Sequence, residues 1–214
     1  MRGAFITFEG IEGSGKSTQI ALLHDHLLSL GHAVTLTREP GGTPIGDQLR
    51  KVLLDPANSG LDPTAELLLY AASRSQHLRE VVLPALAAGR IVLCDRFSDA
   101  TLAYQGYGRG LDIEMIRALD RIVTTPAARP CLTILFDIDA ASGIARAHRR
   151  NISQSLEAEA RFENEELWFH ERVRQGYLAL SRQEPDRIRI VEASLSPENV
   201  HASVRMIVDE KLQI

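Results

Sequence analysis

From Phe5 to Gln19 the chain reads FITFEGIEGSGKSTQ, the stretch with the most specific chemistry in the sequence. Phe5, Ile6, Thr7 and Phe8 are apolar or β-branched, the composition of a short strand. Gly10-Ile11-Glu12-Gly13-Ser14-Gly15-Lys16-Ser17 follows, a G-x-x-x-x-G-K-S spacing that runs through Thr18 into an apolar-periodic stretch. Strand, loop and helix in that order are the setting of a phosphate-binding loop. Its glycines let the backbone wrap a polyphosphate with N–H groups inward, and the helix aims its N-terminus at the anion. Lys16 is expected to reach the β- and γ-phosphates of a bound nucleotide and Ser17 to hold Mg²⁺ through its hydroxyl. A Gly-rich turn with a surface lysine is the plainer alternative, and the agreement of spacing with context speaks against it.

Glu12 is the odd residue in this loop, because a carboxylate repels phosphate unless it faces elsewhere. It is either solvated or an acceptor for hydrogen bonds from a second substrate, such as a sugar hydroxyl. Asp95-Arg96 is the second signal. It ends Ile91-Val92-Leu93-Cys94, an unbroken apolar run of the kind a central parallel strand shows. A carboxylate at that place can bind Mg²⁺ or orient an attacking oxygen, and Arg96 offers a planar fork for a phosphate. The alternative is a structural ion pair at the strand end. Arg146-Ala147-His148-Arg149-Arg150 forms a separate basic cluster, followed by a polar, acidic stretch from Ser153 to Glu166. It reads either as a solvated helix face or as a mobile lid near residues 146–163 whose arginines close on a transferring phosphoryl. The seven histidines form no metal spacing.

The elements that must position these groups alternate. After the first strand, Ser17 to Ser29 is a helix with a stripe of Ile20, Leu23, Leu27 and Leu30. Ala33 to Thr37 is a strand ending at Arg38-Glu39-Pro40-Gly41-Gly42-Thr43. Ile45 to Leu54 is a short helix and Pro63 to about Leu86 a long one, bent or restarted at Pro84. Leu67, Leu68, Tyr70 and Ala71 are its expected buried positions. Thr101 to Gly110 reads as a polar, Gly-rich turn region. Helices follow from Leu111 to Thr124, Ser142 onward, Leu167 to Leu180 and Pro197 to about Leu212, with strands at Leu132 to Ile138 and Ile188 to Val191. This pattern predicts an α/β, doubly wound, mostly parallel five-stranded sheet with helices on both faces. Residues 1–214 form one domain.

The 214 residues carry 24 Lys and Arg against 28 Asp and Glu, a net charge of -4, which argues against a general nucleic-acid coat. Cys94 and Cys131 sit in apolar runs and read as small hydrophobes rather than a disulfide framework. No signal segment and no membrane-length apolar run is evident, so the expectation is a cytoplasmic protein without membrane or nucleic-acid partners.

Taken together, FEGIEGSGKSTQ at 8–19, TREPGGT at 37–43, LLLYAASRSQH at 67–77, DR at 95–96 and AYQGYGRG at 103–110 make the chain resemble the bacterial thymidylate kinases from end to end. The resemblance implies a P-loop kinase fold, MgATP and dTMP as substrates, and a homodimer. It implies that the loop from Gly10 to Thr18 binds ATP and that Glu12 contacts the deoxyribose 3′-hydroxyl. Tyr70 would stack on thymine and Arg74 would reach its O4, with Thr101 near N3. Arg38 and Arg96 would bind the acceptor phosphate, Asp95 would stand near Mg²⁺, and Tyr104 and Gln105 would line the sugar side. Gly13 stands where one kind of member has an arginine, so the chain is similar to the kind that supplies arginine from the lid, with Arg150 and then Arg146 as matches. Ala100 and Phe97 depart from the usual D-R-Y-x-x-S. A kinase for another nucleoside monophosphate is the nearest alternative. A nucleotide-dependent switch is a more distant one, since no N-K-x-D motif is present.

Overall fold

Phe5, Val92 and Cys94 pack into one apolar cluster, while their sequence neighbours Ile6, Ile91 and Leu93 pack into another. Successive strand residues face opposite ways, so the central strands are covered on both sides. That is why they read as unbroken apolar runs. The computed structural model describes residues 3–154 and 160–214. Strands β1 (Phe5–Glu9), β2 (Val34–Arg38), β3 (Ile91–Asp95), β4 (Leu132–Asp137) and β5 (Ile188–Glu192) lie in the order β2-β3-β1-β4-β5. All neighbouring pairs are parallel. The chain leaves β1 towards β2 and later leaves β3 for β4 on the other side of β1. The carboxyl ends of β1 and β3 therefore form the switch point where such sheets bind ligands.

The helices are α1 (Lys16–Ser29), α2 (Pro44–Leu54), α3 (Pro63–His77), α4 (Leu83–Ala87), α5 (Ser98–Thr101), α6 (Ile113–Val123), α7 (Ala140–Gln154), α8 (Leu167–Gln183) and α9 (Pro197–Leu212). Three start on a polar cap followed by proline, a local signal that needs no tertiary help. Thr43 accepts from Gly46 N–H, Asp62 from Thr64 and Ala65 N–H, and Ser196 from Asn199 N–H. Between α3 and α4 the chain makes one π-helical turn, Leu78–Val82. It runs directly into Pro84, which lacks an N–H and cannot sit inside a regular helix without such an adjustment.

Three expectations need correction. The segment from Thr101 to Gly110 is not a turn region: α5 runs on into a π-helical stretch, Leu102–Gly108. Its glycines act in packing, with Gly106 against Ile113 and Ile116 and Gly108 against Phe169 and Val173. Leu68, expected to be buried, is 54% exposed, while Leu67 and Ala71 are in the core. Leu30 caps α1 and is also exposed.

Candidate active site

At the carboxyl end of β1 the phosphate loop turns through Gly10, Gly13 and Gly15, all at positive φ, and Gly15 caps α1. The Lys16 ammonium is buried and donates to Gly10 O and Ile11 O, both at 2.9 Å, and to Ser14 Oγ at 3.2 Å. Burial, then the nearby Arg96 charge, lowers its pKa to about 8. Residues Glu12 through Thr18 line a cavity of about 650 Å³. Gly10 and Ile11 are not among its lining residues, and their carbonyls hold Lys16. Ser17 Oγ donates to Asp95 Oδ2 at 3.4 Å.

Arg96, at the end of β3, takes a positive φ of 66° and hydrogen-bonds through its N–H to Phe8 O at 3.0 Å. That conformation is rare for a non-glycine residue and marks a site where the surroundings dictate the backbone. It turns the guanidinium towards the loop. Nη2 donates to Glu12 Oε1 at 2.9 Å, Nη1 to Tyr177 Oη at 3.2 Å, and the cation lies 4.8 Å from the centre of the Tyr104 ring. Among the described residues no ion pair joins Asp95 to Arg96, and the pair that forms at this strand end is Arg96 with Glu12. Asp95 Oδ1 is buried without a hydrogen-bond partner among the described residues.

Glu12 is 9% exposed and so is not a solvated side chain. The Tyr104 hydroxyl lies 2.7 Å from both of its oxygens. Burial opposes its charge, but Arg96 and then His170 outweigh that penalty and hold the carboxyl well below the usual range.

Tyr70 and Arg74 are one turn apart on α3 and face the same cavity. Burial and then Glu66 push the Tyr70 phenol up, so its ring is neutral. Arg74 is 3% exposed and heavily engaged: Nε donates to Glu39 at 2.9 Å, Nη1 to Asp120 at 3.3 Å, and Nη2 to Phe97 O and Thr101 Oγ1. A guanidinium carries five N–H donors. These four bonds leave one Nη1 hydrogen unassigned among the described residues. Gln105 donates from Nε2 to Glu66 Oε1 at 2.8 Å. Glu66 also accepts from Arg109 and Arg161, so only the amide nitrogen of Gln105 suits that contact. Arg38 lines the same cavity with an exposed side chain and a 3.5 Å contact to Asp47.

Helix α7 crosses the loop at Gly13. A Cβ on Gly13 would overlap the Gly143 carbonyl oxygen, and its φ is 68°. An arginine cannot stand at position 13 in this packing. Arg146 and Arg150, one turn apart, line the cavity instead, while Arg149 does not. Arg146 donates to Ala193 O at 2.9 Å, and Arg150 to Asn151 Oδ1 and, at 3.1 Å, to Glu163. Of the stretch read as a lid, residues 155–159 lie outside the described residues. Beyond them Arg161 is buried, paired with Glu66 at 2.6 Å and bonded to Leu53 O and Asn58 O.

A loop for a polyphosphate, two sheet-end arginines and an enclosed aromatic wall thus share one cavity. Residues 8–204 match the family model described as thymidylate kinase. The chain belongs to the thymidylate kinase family. It is 59% identical over 190 residues to a thymidylate kinase of Syntrophotalea carbinolica, covering 89% of this chain and 88% of that protein. It is 56% identical over 210 residues to one of Trichlorobacter lovleyi, covering 98% and 99%. The crystal structure of thymidylate kinase from Ehrlichia chaffeensis superposes with a TM-score of 0.77 at 33% identity, covering 98% of this chain and 99% of that one.

Three groups of this thymidylate kinase family member escaped the sequence reading. Glu9, at the end of β1, is fully buried and accepts from Phe97 N–H at 2.7 Å and from the Tyr177 hydroxyl at 2.8 Å. Tyr177 and His170 are two turns apart on the buried face of α8, a seven-residue polar spacing on an otherwise apolar stripe that could have flagged them. Phe162 and Glu163 also line the cavity, and nothing local in the sequence signals that. Burial first, then the Asp99 charge, pushes the Glu9 carboxyl up to about 8. Between its unfolded value and about 8, the folded chain holds a proton that the unfolded chain releases. Stability from this group therefore falls as pH rises through that window. Chemical denaturation at pH 6 and pH 8 should show a larger loss for the wild type than for Glu9→Gln, and equal losses would contradict the assignment.

Proposed function

We propose that this protein transfers the γ-phosphoryl of ATP to the 5′-phosphate of dTMP, giving dTDP and ADP. The observation that carries the reading is that Lys16 of the phosphate loop lines the same cavity as Tyr70, Arg74 and Thr101, in a chain of the thymidylate kinase family. The acceptor is a phosphate monoester whose second pKa is near 6, so its oxygen is already anionic at neutral pH. No strong base is required, and catalysis rests on alignment and charge.

In this reading Lys16 and the loop N–H groups hold the donor phosphates, and Arg38 and Arg96 hold the acceptor phosphate. Tyr70 stacks on thymine, Arg74 and Thr101 meet its polar edge, and Glu12 accepts from the 3′-hydroxyl. Tyr104 and Gln105 close the sugar side. Ser17 and Asp95 fit Mg²⁺, since the buried Asp95 Oδ1 has no hydrogen-bond partner among the described residues. Two protein oxygens with substrate phosphates are a usual donor set for this ion. When bound, it neutralises charge on the donor phosphates.

Arg150, with Arg146 beside it, meets the charge that develops on the transferring group. Arg150→Ala should lower kcat about a hundredfold, the scale of losing one transition-state donor, with much smaller changes in either KM. Arg149→Ala, outside the cavity, should be near wild type, and Arg150→Lys should recover only part of the loss because it lacks the fork. Steady-state kinetics decide this, and wild-type kcat in all three variants would reduce the cluster to a solvated face.

Among the described residues no helix is long and apolar enough to cross a membrane. A cytoplasmic location and a homodimer complete the proposal. Both cysteines are free, as suits a reducing compartment. Leu68 on α3 and Ile122 on α6 are exposed at 54% and 81%, apolar surface that a second copy could cover.

A further inference from the structure

His170 is wholly buried on the inner face of α8, with the Phe169 ring edge-on to it at 5.5 Å. Neither ring nitrogen makes a hydrogen bond among the described residues. A buried polar group in that condition calls for a physical reason. Its Nδ1 lies 3.5 Å from Glu12 Oε2, and a shift of about half an ångström would bring the pair to ordinary hydrogen-bond length.

The acceptor inventory of Glu12 explains why that matters. Oε1 takes Arg96 Nη2 and shares the Tyr104 hydroxyl. Tyr104 has a single proton, which it can give to only one carboxylate oxygen at a time although it touches both. Among the described residues Oε2 is therefore secured by half a donor, with His170 Nδ1 facing it. The terminal torsion of a glutamate is broad and two-fold, so a carboxylate anchored on one side alone can swing. We propose that His170 is a positioning residue for Glu12: its imidazole braces Oε2, fixing the direction in which the carboxylate offers its remaining lone pairs to the cavity. Through α8 the same helix also braces Glu9, by Tyr177. Both acidic residues at the exit of β1 thus take their orientation from an element far away in sequence.

The inference rests on the reading in which Glu12 faces the sugar of the nucleotide, and its test separates the two. His170→Phe keeps the volume and removes both nitrogens. His170→Asn keeps a donor near the place of Nδ1. Each is made in the wild-type and Glu12→Gln backgrounds. His170→Phe should raise the KM for dTMP about tenfold, the range of coupling between touching residues. It should leave kcat nearly unchanged, since the contact serves ground and transition states alike. His170→Asn should recover most of that loss, and in the Glu12→Gln background His170→Phe should add little.

The second readout needs no turnover. The His170 ring ¹⁵N resonance, identified by its disappearance in His170→Phe, or by its replacement in His170→Asn if the phenylalanine variant does not fold, should move on Glu12→Gln. A wild type that does not phosphorylate dTMP would sink the sugar reading and leave this resonance to decide the contact. An unmoved resonance, or an equal KM increase from His170→Phe in both backgrounds, overturns the proposal.

Discussion

Lys16→Ala is expected to abolish phosphoryl transfer and leave the fold intact. Among the described residues the ammonium bonds only to groups of its own loop, the Gly10 and Ile11 carbonyls and Ser14 Oγ. No strand pairing or apolar cluster depends on it. Removing it also relieves the desolvation of a buried cation, the first cause of its lowered pKa. The melting temperature should therefore stay close to that of the wild type. Activity is another matter. The γ-phosphoryl carries charge spread over three oxygens during transfer, and positioned cations are the main means of stabilising it. Losing one such contact should cost at least about 3 kcal/mol in the transition state, a loss of more than about a hundredfold. The checks are kcat at saturating substrates and a circular dichroism melt on the same sample. A folded variant with near-normal turnover would contradict the phosphate-loop assignment.

Arg74→Ala should have the largest effect on stability. The family resemblance implies that it contacts the base, and its loss should then raise the KM for dTMP. Its surroundings add a structural role. The side chain is 4% exposed, Glu39 beside it is equally buried, and Asp120 is partly so. Among the described residues alanine would leave the Glu39 carboxylate with His77, whose Nδ1 lies 2.8 Å from Oε1, as its remaining close partner. It would also take the Arg74 donor from Thr101 Oγ1 and leave the Phe97 carbonyl with the Ala100 N–H alone among the described residues. Breaking a buried pair by removing one partner costs roughly 3–5 kcal/mol. For a chain of this size each kcal/mol shifts the melting temperature by roughly 2–4 °C. A fall of roughly 6–20 °C follows from these two ranges. Arg74→Lys should restore only a fraction, because lysine lacks the fork that spans Glu39, Asp120 and Thr101 at once. An unchanged melting temperature would show that the network contributes little. Tyr70→Ala is the cleaner probe of the base, since the Tyr70 ring is half-buried at the cavity wall rather than at the centre of an ion-pair network.

The features legible in the sequence are those set by short spacing. The phosphate loop is a strand, a fixed glycine spacing and a helix start. Tyr70 and Arg74 are one helical turn apart, so their common face follows from the helix alone. Thr43, Asp62 and Ser196, each before a proline, announce three helix starts locally. The stretch from Thr101 to Gly110 misleads because glycine usually breaks helices, whereas Gly106 and Gly108 let neighbouring side chains approach. Contacts between residues remote in sequence leave no such trace. Glu9 with Tyr177, Glu12 with His170 and Glu66 with Arg161 each join β1, its loop or α3 to the last third of the chain. Nothing in either partner's immediate neighbours encodes the pairing.

The central claim is tested most directly by ADP formation from MgATP against a panel of nucleoside monophosphates. The panel comprises dTMP, dUMP, UMP, dCMP, dAMP and dGMP, with a control lacking acceptor. The account predicts the highest kcat/KM for dTMP, weak turnover of purine substrates at the wall made by Tyr70, Arg74 and Thr101, and a penalty for UMP from Tyr104 at the sugar side. Equal turnover of all six, or ADP released at the same rate without acceptor, would contradict it.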